Sequence, residues 1–255
     1  MNEYEIYEKF IDAVNNVNCD VAKEMIKLGV GKYDCDGETY AGCAIDEALL
    51  ISSRSGHIEI FELVLENAVE NNVLHNKACI NLNEEWRINK NLNEALLEAA
   101  KNGQIEVVKL LVEAGADIHN DDGRGLREAA ANGHTEIIKF LIDKGADIHA
   151  QEDGALILSA MNGQLETVKL LLDRGADIHA NNDEALKCAA IAGQLETVKL
   201  FLVDYKMEVK PETREELKNA YPMAYDILVK RDLNESLKEN LKSSPHKAKT
   251  RTMKI

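Results

Sequence analysis

The sequence has few of the features that mark membrane proteins or aromatic-rich cores. Aromatic residues make up 5% of the chain, with a single tryptophan, so a core must be built from Leu, Ile, Val and Ala. All three prolines follow residue 210, which leaves a long stretch without this helix breaker. No apolar run approaches the roughly 20 residues that a bilayer-spanning helix needs, so no membrane partner is expected.

Signals for secretion and redox chemistry are also missing. The first residues, MNEYEIYEKF, are acidic and carry no basic segment followed by an apolar run, so they do not resemble a secretory signal. The five cysteines are scattered and include no Cys-x-x-Cys pair, which argues against a zinc ribbon or a redox motif. A cytoplasmic location is therefore expected.

Basic residues are in deficit. Lys and Arg number 30 against 45 Asp and Glu, which gives a formal net charge of −15. Such a chain repels the phosphate backbone of nucleic acids and attracts basic proteins. The 45% of hydrophobic residues is ordinary for a globular protein and excludes wholesale disorder.

A repeat of 30 residues organises the middle of the chain. Two columns of glycine recur at this spacing, namely Gly103, Gly133, Gly163 and Gly193, and Gly115, Gly145 and Gly175. The segments between the columns read GQIEVVKLLVEAGADIH, GHTEIIKFLIDKGADIH and GQLETVKLLLDRGADIH. A fixed period of this size predicts a solenoid of stacked supersecondary units.

Each unit is predicted to be a pair of helices. The first is rich in alanine, as in Glu94-Ala-Leu-Leu-Glu-Ala-Ala100, and Gly103 ends it with a turn that needs positive φ. The second helix is apolar on one face and ends at Gly115. No unit can bury its own apolar face, so stability comes from stacking. Because Gly125 and Gly154 weaken their helices, the middle repeats should be less stable than repeat 183–212.

This pattern resembles the ankyrin repeat. Gly-Ala-Asp stands at 115–117, 145–147 and 175–177, whereas the Thr-Pro-Leu-His position of the family keeps only its leucine, as in Glu94-Ala-Leu-Leu. The period is about three residues shorter than that of the family, and the missing residues follow His119. The resemblance implies an all-α solenoid with trimmed β-hairpin fingers. The shortened style is similar to the ankyrin repeats of giant DNA viruses of amoebae.

The repeat phase extends over most of the chain, with Val17 in the place of Gly103 and Phe10 in the leucine position of the first repeat. We predict one solenoid over residues 1–241, with about six helix-turn-helix repeats, a C-terminal helical cap, two insertions and a basic, disordered tail. The predicted ranges are repeats at about 7–33, 46–72, 93–122, 123–152, 153–182 and 183–212, the cap at 213–241, the insertions at 34–45 and 73–92, and the tail at 242–255.

The two insertions fall at the same phase of consecutive repeats. Since equivalent points on stacked helices lie about 10 Å apart, both insertions should project from the finger edge and touch. The tail has five basic residues and no acid, so nucleic-acid binding through it is the alternative function. Ser244-Pro245 resembles a proline-directed phosphorylation site, which would reduce the positive charge of the tail.

Three sets of residues are candidates for chemistry, and each also fits a structural role. His119, His149 and His179 recur one repeat apart, and three collinear histidines about 10 Å apart cannot converge on one zinc ion. They are interpreted as hydrogen-bonding turn residues that tie the fingers together. Glu98 and Glu128 are interpreted as part of a solvated acidic groove. Cys188 replaces a leucine and is expected in the core.

No enzyme activity, metal or cofactor is expected. The chain has no Gly-rich phosphate loop, no Gly-x-Ser-x-Gly and no His-Glu-x-x-His, so nothing assembles a nucleophile, a base and a charge-stabilising site. Only His75 and Cys79, in the second insertion, are close enough in sequence to keep a zinc hypothesis open.

The expected function is to bind another protein, basic and from a host cell, as a monomer. Residues 1–92 hold 17 acids against 8 bases, an acidic field that would attract such a partner. Aromatic anchors are frequent at protein interfaces, although Trp86 is equally suited to pinning a long loop to the solenoid. The predicted partner-binding residues are Tyr33, Tyr40 and Trp86 on the insertions and Glu98, Lys101 and Asn102 on the adjoining groove.

Overall fold

The computed structural model describes the backbone of residues 1–28, 30, 40–75 and 84–243, and the side chains of these except 3, 40–43, 69–75, 84–91 and 240–243. Within these ranges the chain forms helices and no strand, which confirms the all-α prediction. The helices are α1 Glu3–Asn15, α2 Cys19–Lys27, α3 Tyr40–Ser55, α4 Ile58–His75, α5 Glu84–Lys101, α6 Ile105–Glu113, α7 Asn120–Ala131, α8 Thr135–Asp143, α9 Ala150–Met161, α10 Leu165–Asp173, α11 Ala180–Ile191, α12 Leu195–Lys199 with a π-helical continuation Leu200–Asp204, α13 Pro211–Ala220 and α14 Pro222–Ser243.

The helices stack in two layers. The first helices of successive pairs, from α1 to α11, pack directly on one another, whereas the second helices from α2 to α12 contact one another less. The paired alanines explain the difference, because Ala99, Ala100, Ala129 and Ala130 are fully buried and let the first helices approach closely. The solenoid is therefore concave on the side of its first helices, and this concave side is called the groove below.

The core runs continuously along the solenoid between the two layers. The leucine of each first helix is buried, and so is Phe10, which was predicted to take its place in the first repeat. The second helices bury a matching apolar face, as with Val107, Val108 and Leu111 in α6. Each layer of the core is made by two neighbouring pairs, so no pair is stable without its neighbours.

The first glycine column has the predicted positive φ, with 78° at Gly103 and 79° at Gly133. Space as well as φ requires glycine, because a Cβ added at Gly103 would lie 2.7 Å from Cε1 of His134. That imidazole spans the turn, with Nε2 3.0 Å from the carbonyl oxygen of Lys101. Val17 has the equivalent position and a φ of 55°, so the first repeat keeps the turn with a residue that is strained in it.

Parts of the predicted insertions are helical. Helix α3 begins at Tyr40 and α5 at Glu84, while α4 continues to His75. Residues 40–45 and 84–92 therefore lengthen the first helices of their repeats, and no proline interrupts either helix. Residues 31–39 and 76–83 lie outside the described residues, so the predicted contact between the insertions stays a prediction.

The C-terminal cap consists of α13 and α14. Helix α14 packs on the solenoid through Ala224 and Leu228, which are buried. Arg231 donates a hydrogen bond to the carbonyl oxygen of Met207 at 2.6 Å, and Asp232 accepts hydrogen bonds from Arg231 and Arg214. None of the helices in the described ranges has the length and hydrophobicity that crossing a membrane requires.

Candidate functional site

The trimmed fingers are replaced by left-handed turns. Asp121, Asp122 and Gly123 have φ between 52° and 69°, and the equivalent residues 151–153 and 181–183 have the same left-handed conformation. Each run forms one turn of left-handed helix, in which the N–H of Gly123 donates to the carbonyl oxygen of His119 at 3.2 Å. L-residues adopt this conformation at a cost of about 1–2 kcal/mol each, least for Gly, Asn and Asp. These turns reverse the chain without strands.

Four positions one repeat apart, here called the clamp positions, form a column whose side chains join successive elements. The clamp positions are Asn93, Gly123, Asp153 and Asp183. Asn93 accepts the backbone N–H of Asp117 at 2.7 Å, and Asp153 accepts that of Asp177 at 2.9 Å. Asp183 accepts that of Lys210 at 3.1 Å and so connects the last repeat to the cap. Gly123 has no side chain, so the column is interrupted there.

Two of the three column histidines bind the clamp carboxylates. Nδ1 of His149 lies 3.2 Å from Oδ1 of Asp153, and Nδ1 of His179 lies 2.8 Å from Oδ1 of Asp183. His119 has Gly123 at the corresponding position. The predicted hydrogen-bonding role is thus confirmed for two histidines, but the bonds lie within one turn and do not join neighbouring turns. Among the residues described, no three His, Cys, Asp or Glu side chains are grouped as metal ligands would be.

The glutamates of the groove are engaged in ion pairs. Glu98 binds Nε of Arg54 at 3.0 Å, and its side chain is only 25% exposed. Glu128 lies 3.7 Å from Nε of Arg124. The groove is therefore less acidic than predicted, because arginines on the preceding repeat or one turn away pair with both carboxylates.

Acidic residues concentrate instead at one edge. The first-helix segments 46–55, 94–102, 124–132, 154–162 and 184–192 hold six acids and five bases. The turn edge, defined as residues 113–123, 143–153 and 173–183, holds 11 acids and 2 bases. The groove is thus nearly neutral and is bordered by a strongly acidic edge.

A cavity of about 430 Å³ lies where the groove meets the turn edge between α5 and α7. Its walls include Leu97 and Ile118, with Asp117 and Arg124 among the polar residues. Gly125 also lines it, at a position where the adjoining repeats carry alanine. Further along, the groove becomes apolar, since Met161 is 37% and Ile191 58% exposed.

A sequence profile of the family described as ankyrin repeats in three copies matches residues 10–122 and 126–213. The matched residues make up well over half of the 255 in the chain. The chain belongs to the ankyrin-repeat family. Ankyrin repeats indicate a protein–protein interaction module, and the family is in general a non-catalytic scaffold. No curated protein matches the sequence.

The ankyrin groove contains three of the predicted partner-binding residues. Glu98 and Lys101 lie in the last turn of α5 and Asn102 directly follows it, and Asn102 donates from Nδ2 to the carbonyl oxygen of Glu98 at 2.8 Å. Lys101 and Asn102 are exposed. Glu98 is held by Arg54, so Lys101 and Asn102 are the more accessible contacts.

The predicted aromatic anchors lie mostly outside what is described. Tyr33 falls in 31–39, outside the described residues. Tyr40 is the first residue of α3 and Trp86 the third of α5, and their side chains are likewise outside. Their backbone positions can be compared, because α3 and α5 are first helices that pack against each other. Tyr40 lies eight residues before Ala48 and Trp86 nine before the equivalent Ala95.

Cys188 is half-buried in the last ankyrin repeat and not fully in the core. Burial, together with the neighbouring Glu184 carboxylate, raises the pKa of its thiol to about 11. The Lys187 ammonium lies 2.7 Å from Glu184, and its hydrogen bond lowers the pKa of that carboxyl against the effect of burial. The thiol is therefore protonated at neutral pH and is a poor nucleophile.

Reasoning from sequence missed the left-handed turns and the clamp positions. The signal was present in the triplets Asp-Asp-Gly and Asn-Asn-Asp, whose residues tolerate left-handed backbone. The Gln-Glu-Asp triplet at 151–153 gives no such signal and follows its neighbours only because the repeat geometry is shared.

Proposed function

We propose that this ankyrin-repeat chain binds a basic protein through its lengthened N-terminal repeats and the adjoining groove. The proposed contacts are the residues predicted from the sequence, namely Tyr33, Tyr40, Trp86, Glu98, Lys101 and Asn102.

The observation that carries the proposal is the position of two aromatic residues on neighbouring helices. Tyr40 and Trp86 lie on the helical extensions of α3 and α5, eight and nine residues before equivalent buried alanines. At a rise of 1.5 Å per residue, their backbones are within about 2 Å of the same height. Aromatic residues at matching heights on adjacent helices are suited to anchor an interface with a protein partner.

Charge supports a basic partner. The acidic turn edge borders the groove, and residues 1–92 have nine more acids than bases. Such a field accelerates the approach of a basic protein and weakens as salt is added.

The source of the partner rests on the style of the repeats. The shortened period resembles ankyrin repeats of giant DNA viruses of amoebae, so the proposal places the chain as a monomer in the cytoplasm of a host cell and takes a host protein as its partner. Amoebal cytosol is therefore the first material to test.

The test is a pull-down from that cytosol followed by affinity measurement with the purified partner. The double substitution Tyr40→Ala with Trp86→Ala should weaken binding by about 30-fold or more, which is the effect of losing an aromatic hot spot. Lys101→Ala, at an exposed rim position, should change the affinity only a few-fold.

Substitutions in the apolar part of the groove are the matched control. Met161→Asp with Ile191→Asp should leave the affinity nearly unchanged, since these exposed side chains lie two or more repeats away from α3 and α5. If this pair abolishes binding while the aromatic pair does not, the partner sits in the C-terminal groove and the proposed site is incorrect.

A further inference from the structure

The cavity between α5 and α7 is open because a glycine stands on its wall. A Cβ added at Gly125 would meet nothing within 4 Å, whereas the equivalent residues of the adjoining repeats are Ala95 and Ala155. Leu97 and Ile118 are apolar parts of the wall. The volume of about 430 Å³ lies within the range of ligand pockets, which is about 300–1,000 Å³. The cavity therefore has room for a long side chain together with its head group.

The polar part of the wall is acidic. It includes the carboxylates of Glu94, Asp117 and Asp121 against one guanidinium, that of Arg124, which gives a net charge of −2. Arg124 is already paired with Asp121 at 3.4 Å. Asp117 accepts the backbone N–H of His119 on Oδ1 at 2.9 Å, which fixes the orientation of its carboxylate. A wall of this composition suits a cation that is carried on an apolar stem.

The next repeat shows which side chain fits such a place. The residue equivalent to Leu97 is Arg127, and its stem crosses from α7 to α9, since its Cδ would lie 2.9 Å from a Cβ added at Gly154. Nη2 of Arg127 donates to the carbonyl oxygen of Asp121 at 3.0 Å. The interval between α7 and α9 is thus occupied by an arginine of the chain itself. The interval between α5 and α7 has the shorter Leu97 at this position and stays open.

Arginine matches the cavity better than other cations do. Its guanidinium has five N–H donors in one plane and can bind more than one carboxylate, while its stem packs on leucine and isoleucine. The ammonium of lysine is compact, strongly hydrated and without a flat face. A metal ion fits less well, because no three His, Cys, Asp or Glu side chains of the described residues are grouped as metal ligands would be.

We infer that the cavity between α5 and α7 takes an arginine side chain of the protein partner. The inference rests on the proposed function in one respect, namely that a bound protein supplies the arginine. The location agrees with that function, because Glu94 follows Trp86 by eight residues in α5, a rise of about 12 Å. A partner that covers the lengthened helices therefore also reaches the cavity.

The first test uses blocked tripeptides, which need no identified partner. Acetyl-Ala-Arg-Ala-amide is titrated into the isotopically labelled full chain and followed by nuclear magnetic resonance. The amide signals of Ile118 and Gly125 should shift and saturate with a dissociation constant on the order of 1–10 mM. The citrulline analogue keeps the shape without the charge and should bind about tenfold more weakly. The lysine analogue should bind about threefold more weakly, because it lacks the planar donors.

Substitutions locate the bound tripeptide. Leu97→Arg gives this interval the arginine that the next repeat already has, so it should fill the cavity and weaken binding about tenfold or more. The matched control is Ile157→Arg, which makes the same change at the equivalent position two repeats along and should alter the affinity by about twofold at most, since that charge is screened.

A second pair of variants fills the cavity without adding a charge. Gly125→Leu should weaken binding of the arginine tripeptide about tenfold, because its side chain takes the place of the arginine stem. Gly125→Ala adds only a Cβ and should bind like the unmodified protein. Thermal unfolding shows that each variant is folded.

Three results would overturn the inference. One is the absence of saturable shifts at Ile118 and Gly125. Another is equal affinity for the arginine tripeptide and its citrulline or lysine analogue. The third is binding that Leu97→Arg and Gly125→Leu both leave unchanged, which would place the tripeptide elsewhere on the acidic turn edge.

The purified partner separates this inference from the proposed function. Leu97→Arg should weaken partner binding about tenfold or more, as the loss of a buried arginine contact does. If the aromatic pair of substitutions weakens partner binding and Leu97→Arg does not, the partner binds as proposed and the arginine inference is wrong. If Leu97→Arg weakens it and Tyr40→Ala with Trp86→Ala does not, the arginine site stands and the proposed aromatic anchors are incorrect.

Discussion

Gly123 interrupts the clamp positions, and filling this gap should stabilise the middle of the solenoid. Its φ of 69° and ψ of 34° are close to those of Asp153, at 60° and 38°. A Cβ added at Gly123 would meet only the Cβ of Ala150, at an ordinary contact distance of 3.6 Å. The substitution Gly123→Asn therefore fits. It supplies a side-chain acceptor for the backbone N–H of Asp147, which is the equivalent of the Asp117 N–H that Asn93 binds one repeat earlier.

The magnitude follows from three contributions. A new hydrogen bond to a backbone N–H contributes about 0.5–1.5 kcal/mol. Loss of glycine restricts the unfolded chain and contributes about 0.4–1 kcal/mol. The left-handed conformation costs a side chain about 1 kcal/mol, and less for asparagine. The last two nearly cancel, so Gly123→Asn should raise the free energy of unfolding by about 1 kcal/mol.

Gly123→Ala separates the hydrogen bond from the change in backbone. Alanine brings the cost of the left-handed conformation and no acceptor, so it should be less stable than Gly123→Asn by about 1.5–2 kcal/mol. Urea unfolding measures the difference, and hydrogen exchange at the Asp147 amide should slow in the asparagine variant alone. Equal stability of the two variants, with equal exchange at Asp147, would refute the clamp argument.

Four further predictions concern single positions or small sets. Val17→Gly should raise the free energy of unfolding, measured by urea unfolding, by about 1 kcal/mol, because the φ of 55° at Val17 costs a β-branched residue more than glycine. An equal gain from Val17→Ala would contradict this reason. Gly125→Ala should stabilise α7 by about 0.5–1 kcal/mol, since an added Cβ meets nothing within 4 Å, and hydrogen exchange in α7 should slow. Burial raises the pKa of Asp232, but hydrogen bonds from Arg214 and Arg231 outweigh it and hold that pKa below its usual value. The stability that Asp232 contributes is therefore complete above about pH 4 and is lost as the pH falls through the lower folded-state pKa, so Asp232→Asn should destabilise the cap at neutral pH and have little effect in strong acid, as followed by thermal unfolding. Changing Asp117, Asp147 and Asp177 to Asn keeps the side-chain acceptors of the turns but removes three negative charges. Association with a basic partner, measured by stopped flow, should become several-fold slower at low salt. An unchanged association rate at low salt would count against an electrostatic role for the turn edge.

The helix pairs were predictable from the sequence because two independent signals agree. The glycine columns require positive φ at fixed intervals, and Gly103 and Gly133 have it. The apolar spacing selects the buried face of α6 correctly. The position of Val17 was predicted from the repeat phase alone. Its turn forms the same backbone hydrogen bond as the turn at Gly133: the N–H of Val17 donates to the carbonyl oxygen of Val14, and the N–H of Gly133 donates to that of Ala130.

The lengthened helices were not predictable in the same way. The stretch from Glu84 to Asn91 is rich in polar residues and has little apolar periodicity, so nothing in it distinguishes a projecting loop from a solvated helix. It becomes helical as the N-terminal continuation of α5, whose Leu92, Ala95 and Leu96 are buried against neighbouring repeats. Tertiary packing at the end of a segment decided the structure of its beginning.

The charge of the groove shows why net charge by repeat cannot locate a binding surface. Repeat 93–122 has five more acids than bases, and the sequence predicts that one of these acids, Glu98, lies in the groove. The pair between Glu98 and Arg54 spans 44 residues and crosses the second insertion, so neither residue is a neighbour of the other in any local pattern. Because such pairs neutralise the groove while the turn edge keeps 11 acids against 2 bases, the proposed basic partner would be attracted at the edge and held by aromatic contacts on the lengthened helices beside the groove. Attraction and affinity are then carried by different residues, which is why association rates and dissociation rates should respond to different substitutions in this protein.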